Sequence, residues 1–292
     1  MTAEPPHASS TISGPGADLP ATPGVSPTLT VSAVQYEAVA GDIPANAAAH
    51  MRLIEDAHSH GARLVVFPEL SLLGYELGPL RADPAGEAGG QSPWLRQEDP
   101  SLAGLREICR RTGITTVAGA AWRDPDGTPR LASLIVAPGG EVRAVHKTHL
   151  HGPERELFVP GTGPGYLAVD GWKVALAVCA DAAHPSHAAM AADAGADVYA
   201  VSALYAEGEE TRLGLHLGAR AMDNRMFSIL ANLGGTTPLG ESCGLSGAWG
   251  PDGRQLAQAS GTRTAMATAT LQQSSLVPFR TTLTAIAPPS FS

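Results

Sequence analysis

The stretch VALAVCADAAHPSH, residues 174–187, sets five apolar residues directly against Cys179, and Asp181, His184 and Pro185 follow within six positions. A short apolar run bounded by a turn reads as a buried strand. This strand ends abruptly in reactive and polar side chains. Working outward, the same grammar recurs: ADVYAVSAL (196–204) and MFSILANLG (226–234) read as strands, with HPSHAAMAADAG and TRLGLHLGARAMDN as the helices before them. Upstream, TLTVSAVQY (28–36) and RLVVFPEL (63–70) read as strands around the helix AAAHMRLIEDAHSHG, which stops at Gly61. A Pro/Gly-rich loop over about residues 74–99 precedes the helix SLAGLREICRRTG. ITTVAGAAW, ASLIVAPGG and EVRAVHKTHL then follow as strands, and GLSGAWGPDGRQLAQAS reads as a hairpin around a PDG turn. Apolar strands mixed with amphipathic helices predict an α/β sandwich whose sheets are covered by helices.

Composition narrows the function. The 292 residues carry 28 acidic and 19 basic side chains, a formal charge of −9, with no basic block longer than Arg110-Arg111. Nucleic acid is therefore not an expected partner. No run of about 18 apolar residues is present, so no membrane span is expected. Three widely spaced cysteines, Cys109, Cys179 and Cys243, suit a reducing compartment, and the expected location is the cytoplasm. Residues 1–28, rich in Pro, Ser, Gly, Thr and Ala, are expected to form a disordered tail. The core should span 29–271, and residues 272–292 should form an extended C-terminal extension.

Three strands finish in the same unusual way: RLVVFPEL in Glu69, AVHKTHL in Lys147 near its end, and VALAVCAD in Cys179. A carboxylate, an ammonium and a thiol at the ends of buried strands are the parts of a covalent hydrolysis site. A free thiol is only slightly ionised at neutral pH, so attack on an amide needs a base. Glu69 can take the thiol proton and return it to the leaving nitrogen. Lys147, with the backbone N–H of Ala180, can face the oxyanion. Asp181 is expected to brace the turn after Cys179 by accepting backbone N–H bonds. His149, His151, His184 and His187 suggest a metal, but neither H-E-x-x-H nor C-x-x-C occurs, so no metal ligands are assigned. The glycines of LANLGGTTPLG do not form a dinucleotide fingerprint, and no cofactor is expected.

FPELSLLGYEL, HKTHLHGPERELFVPG, VCADAAHP, ARAMDNRMFSILANLGG and GLSGAWGPDGRQLAQA, in this order, resemble the nitrilase superfamily of carbon–nitrogen hydrolases, with its Glu-Lys-Cys triad. The resemblance implies a four-layer α-β-β-α sandwich and homodimers or larger assemblies. It also implies a second glutamate seven residues after the lysine, here Glu154, which would hold Lys147 and the attacking water; Glu156 is the rival. Where many members carry an aromatic residue and then an arginine after the cysteine, this chain has Ala180 and Ala183. A grip on a substrate carboxylate would need another cation. The pocket wall is expected from Tyr75, from Ala180 and His184 after the cysteine, and from the 202–205 segment, represented by Ala203. The reading is a cofactor-free thiol hydrolase of small linear amides. A nitrilase and an N-carbamoyl amide hydrolase are the near alternatives, and a catalytically silent scaffold is the distant one.

Overall fold

The computed structural model describes residues 27–86 and 92–281. The expected tail lies outside the described residues up to residue 26, as do residues 282–292 of the expected extension. The first half of the chain contributes β1 (Thr28–Gln35), α1 (Ile43–Ser59), β2 (Leu64–Val66), α2 (Leu77–Ala82), α3 (Ala103–Thr112), β3 (Thr115–Arg123), β4 (Pro129–Val136) and β5 (Val142–His146). The second contributes β6 (Gly165–Val169), β7 (Trp172–Val178), α4 (Ala180–Ala183), α5 (Pro185–Asp193), β8 (Val198–Ala203), α6 (Glu210–Asn224) and β9 (Phe227–Asn232). It closes with β10 (Thr236–Thr237), β11 (Gly240–Glu241), β12 (Gly247–Trp249), β13 (Gln255–Gln258), β14 (Ala265–Gln272) and α7 (Val277–Thr281).

Two six-stranded sheets result, ordered β14-β1-β2-β3-β4-β5 and β13-β12-β9-β8-β7-β6. Within each, the central strands run parallel and the outer ones antiparallel. Strand alternation sorts the side chains into layers. In β7, Val174 and Leu176 point between the sheets, where they join Val31, Val66, Val117, Val198 and Ile229. Ala175 and Ala177 point the other way, with Tyr199 and Val201, against Ala188 and Ala191 of α5 and Leu213 and Leu217 of α6. On the far face of the first sheet, Val65, Ala118 and Leu134 pack against Ile54 of α1 and Leu105 and Ile108 of α3. The layers are therefore α-β-β-α. Strands buried on both faces explain why β7, β8 and β9 read as unbroken apolar runs.

Four local readings differ from expectation. β2 ends at Val66 rather than running to Glu69, because Pro68 has no N–H to continue the ladder. The loop after residue 74 contains α2 and buries Trp94. After Gln272 the chain is not extended through the described residues: it forms a 3-10 turn and α7, pinned by Arg280 Nη1 on Asp197 Oδ1 at 2.7 Å. Thr28 already belongs to β1 rather than to a tail. Among the described residues, no helix is long and apolar enough to cross a membrane.

Candidate active site

Glu69, Lys147 and Cys179 follow the carboxyl ends of β2, β5 and β7, and the sheet pairing carries them to one place. Past β2, the chain turns on itself through Leu70, whose φ is +48°, with Gly74 N–H bonded to Leu70 O at 2.8 Å. This elbow lies directly on Gly119 of β3: a Cβ there would sit 2.2 Å from Pro68 O and 2.3 Å from Leu70 N. Glycine inside a strand marks such a close backbone approach. Ser71 secures the elbow from below, its Oγ accepting from Gly119 N–H at 3.2 Å and lying 2.9 Å from Nε2 of buried His50. Burial lowers the His50 pKa to about 3, so its ring is neutral.

Lys147 leaves β5 with its backbone held by Leu131 O and Gly161 N–H, at 2.8 and 2.7 Å. Its ammonium is fully buried, 2.6 Å from Glu69 Oε1 and 2.8 Å from the Glu154 carboxylate. Glu154 sits in a 3-10 turn over Gly152–Glu156, where its Oε2 accepts the His151 N–H at 2.8 Å and its Oε1 accepts the Tyr75 hydroxyl at 2.6 Å. Glu156, two residues on, is exposed and meets Arg81 at 3.4 Å. Of the two rival glutamates, Glu154 is the one beside Lys147.

Cys179 occupies a sharp strand-to-helix turn, φ +45° and ψ −98°, a conformation rare for a residue with a Cβ. Its N–H bonds to Ser202 O at 2.8 Å, and Ser202 Oγ in turn donates to Phe67 O at 2.7 Å, tying the cysteine turn to the Glu69 elbow. Asp181 braces the turn as expected, accepting from Val178 N–H at 3.0 Å. It also accepts from His149 N–H and lies against His149 Nδ1, both at 2.8 Å. One buried carboxylate thus joins the backbone just before the cysteine to the backbone just after the lysine.

The electrostatics follow from burial. Desolvation pushes Glu69 up to about 7, with Lys147 holding it down and Glu154 adding to the rise. Burial would lower Lys147, but Glu69, Cys179 and Glu154 together more than offset it and raise its pKa. The Cys179 thiol is raised by burial and then by Glu69. The resting cysteine is therefore a thiol, and ionising it requires a partner that accepts the proton. Glu69 Oε2 is buried without a hydrogen-bond partner among the described residues, and the Cys179 thiol beside the carboxyl helps hold its pKa down.

A cavity of about 90 Å³ opens at Cys179. Beside Cys179 it is lined by Glu69, Tyr75, His151, Glu154, Ala180, Ala183, Leu204, Tyr205, Glu209, Arg212 and Leu239. Of the residues expected in the pocket wall, Tyr75 and Ala180 line this cavity. His184 and Ala203 do not: His184 is exposed and stacks on His149 at 3.8 Å, and Ala203 is sealed in the core under α6, its neighbour Leu204 reaching the cavity instead. Side chains alternate along a strand, so within the 202–205 segment Leu204, and not Ala203, faces the cavity. Glu209, Arg212 and Leu239 were missed. Only the first turn of α6 and the β10–β11 hairpin fold them over the site, and their sequence pattern carries no motif.

The carbon-nitrogen hydrolase family profile matches residues 30–281. A hydrolase from the pqqF 5′ region of Pseudomonas protegens is 30% identical over 201 residues, 68% of each chain. The 2-oxoglutaramate amidase of Bacillus subtilis is 27% identical over 232 residues, 78% of this chain and 85% of that one. The solved structure of a cysteine-to-alanine variant of the amidase from Nesterenkonia sp. AN1, in complex with butyramide, superposes with a TM-score of 0.74 at 28% identity, covering 88% of this chain and 95% of the other. With its two helix-covered sheets and a family match over most of its length, this chain belongs to the carbon–nitrogen hydrolase family and is an amidase-like enzyme of that family.

Proposed function

We propose that the protein hydrolyses short linear amides through a thioester on Cys179. What carries this reading is the thiol at the foot of a small cavity, beside a buried carboxyl near neutrality that is itself clamped to a buried ammonium. Glu69 takes the thiol proton as Sγ bonds to the amide carbon, and the carbonyl oxygen becomes an oxyanion. With two hydrogen bonds committed to Glu69 and Glu154, the Lys147 ammonium keeps one of its three donors for that oxyanion, beside the Ala180 N–H. The C–N bond then breaks as Glu69 returns its proton to nitrogen, and ammonia or an amine departs. Water attacks the thioester, giving one proton to Glu69, which passes it to the leaving thiolate; the carboxylic acid is released. Glu154 holds Lys147 and orients the water.

The cavity volume favours an acyl group of few carbons. The Nesterenkonia amidase, which in other variants carries acrylamide or the acetamide moiety of fluoroacetamide on its active-site cysteine, supports the same substrate class here. The test is ammonia release from acetamide, propionamide and butyramide, with Cys179→Ala as the control. Turnover that survives in the alanine variant refutes the cysteine mechanism, and release from the matching nitriles alone replaces the amidase with a nitrilase. The same reading includes a cytoplasmic enzyme, supported by three unpaired cysteines, and a homo-oligomer, supported by exposed Leu215 and Met222 on the outer face of α6. Cell fractionation and sedimentation of the purified chain check each; recovery from the medium or a monomer would overturn the respective point.

A further inference from the structure

His50 is fully buried at the Glu69 elbow but does not line the cavity. Its imidazole touches the elbow on both flanks of the carboxyl. The ring stacks on that of Phe67, two residues before Glu69, with centroids 3.8 Å apart and planes 16° from parallel. Its Nε2 lies 2.9 Å from the Oγ of Ser71, two residues after Glu69. The hydrogen bonds fix where each proton sits. Nδ1 is 2.7 Å from the carbonyl of Asn46, one turn back in α1, and a carbonyl only accepts, so Nδ1 bears the hydrogen. A neutral ring has one N–H, which leaves Nε2 bare, and the Ser71 hydroxyl donates to it. The same Oγ accepts the Gly119 N–H.

A directed chain of hydrogen bonds thus runs from Gly119 of β3 through Ser71 and His50 to α1. Asn46 anchors its far end. The Asn46 Nδ2 donates to Val39 O at 2.8 Å and to Leu72 O at 3.1 Å, while its Oδ1 accepts the Tyr36 hydroxyl at 2.7 Å and the Val39 N–H at 2.8 Å. The ring of His50 therefore has one place and one tautomer, and it carries that order to both flanks of Glu69. The low pKa of His50 comes from burial, opposed by the Asn46 carbonyl, and the raised pKa of Glu69 from burial, Lys147, Glu154 and Cys179. The link between the two residues is one of packing and hydrogen bonding. Deepening the amidase reading above, on which it rests, we infer that His50 is a positioning residue for Glu69: its ring and the Ser71 hydroxyl hold the base against Lys147 and within reach of the Cys179 thiol.

The test uses Ser71→Ala, which deletes the hydroxyl from the elbow, and His50→Phe, which keeps a ring to stack on Phe67 and removes the acceptor. Both should lower kcat for the preferred amide roughly tenfold to 10²-fold with KM little changed, because neither residue lines the cavity. His50→Gln, whose Oε1 can accept from Ser71 in place of Nε2, should recover part of that loss. The pH limb of kcat/KM supplies a readout that a merely structural role would not move. As the 2.6 Å contact with Lys147 loosens, the ammonium holds Glu69 down less, so the limb should move from about 7 in the wild type towards about 8 in the two variants. Circular dichroism confirms folding, and where His50→Phe does not fold, Ser71→Ala, which adds no volume, carries the comparison. A kcat within about twofold of wild type, or a limb that stays at about 7 or falls, overturns the role given to His50 and leaves the amidase reading standing. A wild type that releases ammonia from no amide overturns the amidase reading; the rate of Cys179 alkylation by iodoacetamide, followed across pH in the same variants, then decides the role of His50 by the same shift.

Discussion

Replacing Lys147 with methionine probes the whole cluster at once. The substitution keeps most of the side-chain volume and removes the cation that lies 2.6 Å from Glu69 and 2.8 Å from Glu154. Two effects follow. In the reaction, loss of one oxyanion donor costs kcat roughly 10²–10³-fold. Glu69, already at about 7 with Lys147 holding it down, rises further, so less of it is the ionised base at neutral pH. In the fold, two buried carboxyls face each other without a cation, and removing one partner of a buried ion pair costs about 3–5 kcal/mol. The pH dependence gives the sign. A carboxyl whose folded pKa lies above its ordinary 4.5 favours the folded state when protonated, so that stability is present at low pH and is lost as pH rises through the folded value. Lys147→Met should therefore lose more stability at about pH 8 than at about pH 5 relative to wild type. Urea unfolding at both pH values, beside amide turnover, reads both effects. A variant with kcat within about threefold of wild type would refute the role given to Lys147. An equal loss of stability at both pH values would refute the electrostatic account of the cluster.

Three further outcomes are expected. Because Glu69 must be ionised to accept the thiol proton, kcat/KM should rise with pH through about 7 and Glu69→Gln should abolish that limb along with most turnover; a limb near the ordinary carboxyl range would mean that Glu69 is not the base. Glu154→Gln should slow thioester hydrolysis so that an acyl adduct on Cys179 accumulates in mass spectra, whereas Glu156→Gln, at an exposed position, should behave as wild type; the reverse pattern would exchange their roles. Gly119→Ala forces a methyl group into Pro68 O and Leu70 N, backbone atoms that cannot swing aside, so the Glu69 elbow must move. Its unfolding free energy should fall by about 1–3 kcal/mol and kcat by up to about 10²-fold, and normal activity would show that the elbow tolerates displacement.

The layered architecture was legible because its central strands are buried on both faces and so read as apolar runs, each stopped by a turn. β6 and β14 were not, since GYLAV is short and the middle of AMATATLQ alternates small side chains, alanine against threonine, whose periodicity is faint. The order of Glu69, Lys147 and Cys179 at three strand ends was equally a property of the sequence, as was the bracing role of Asp181, because local turn chemistry and strand termination depend on neighbours along the chain. What they do to one another depends on neighbours in space. Glu154 and Glu156 share one 3-10 turn, and only the fold decides which is buried on Lys147 and which meets solvent. Asp181 reaches across to His149 because β5 and β7 end side by side from different sheets, and the α6 start and the β10–β11 hairpin bring Arg212 and Leu239 over a cysteine more than thirty residues away. Local periodicity encodes strands and turns, whereas burial, and the pKa values and pocket walls that follow from it, exists only once distant segments have packed.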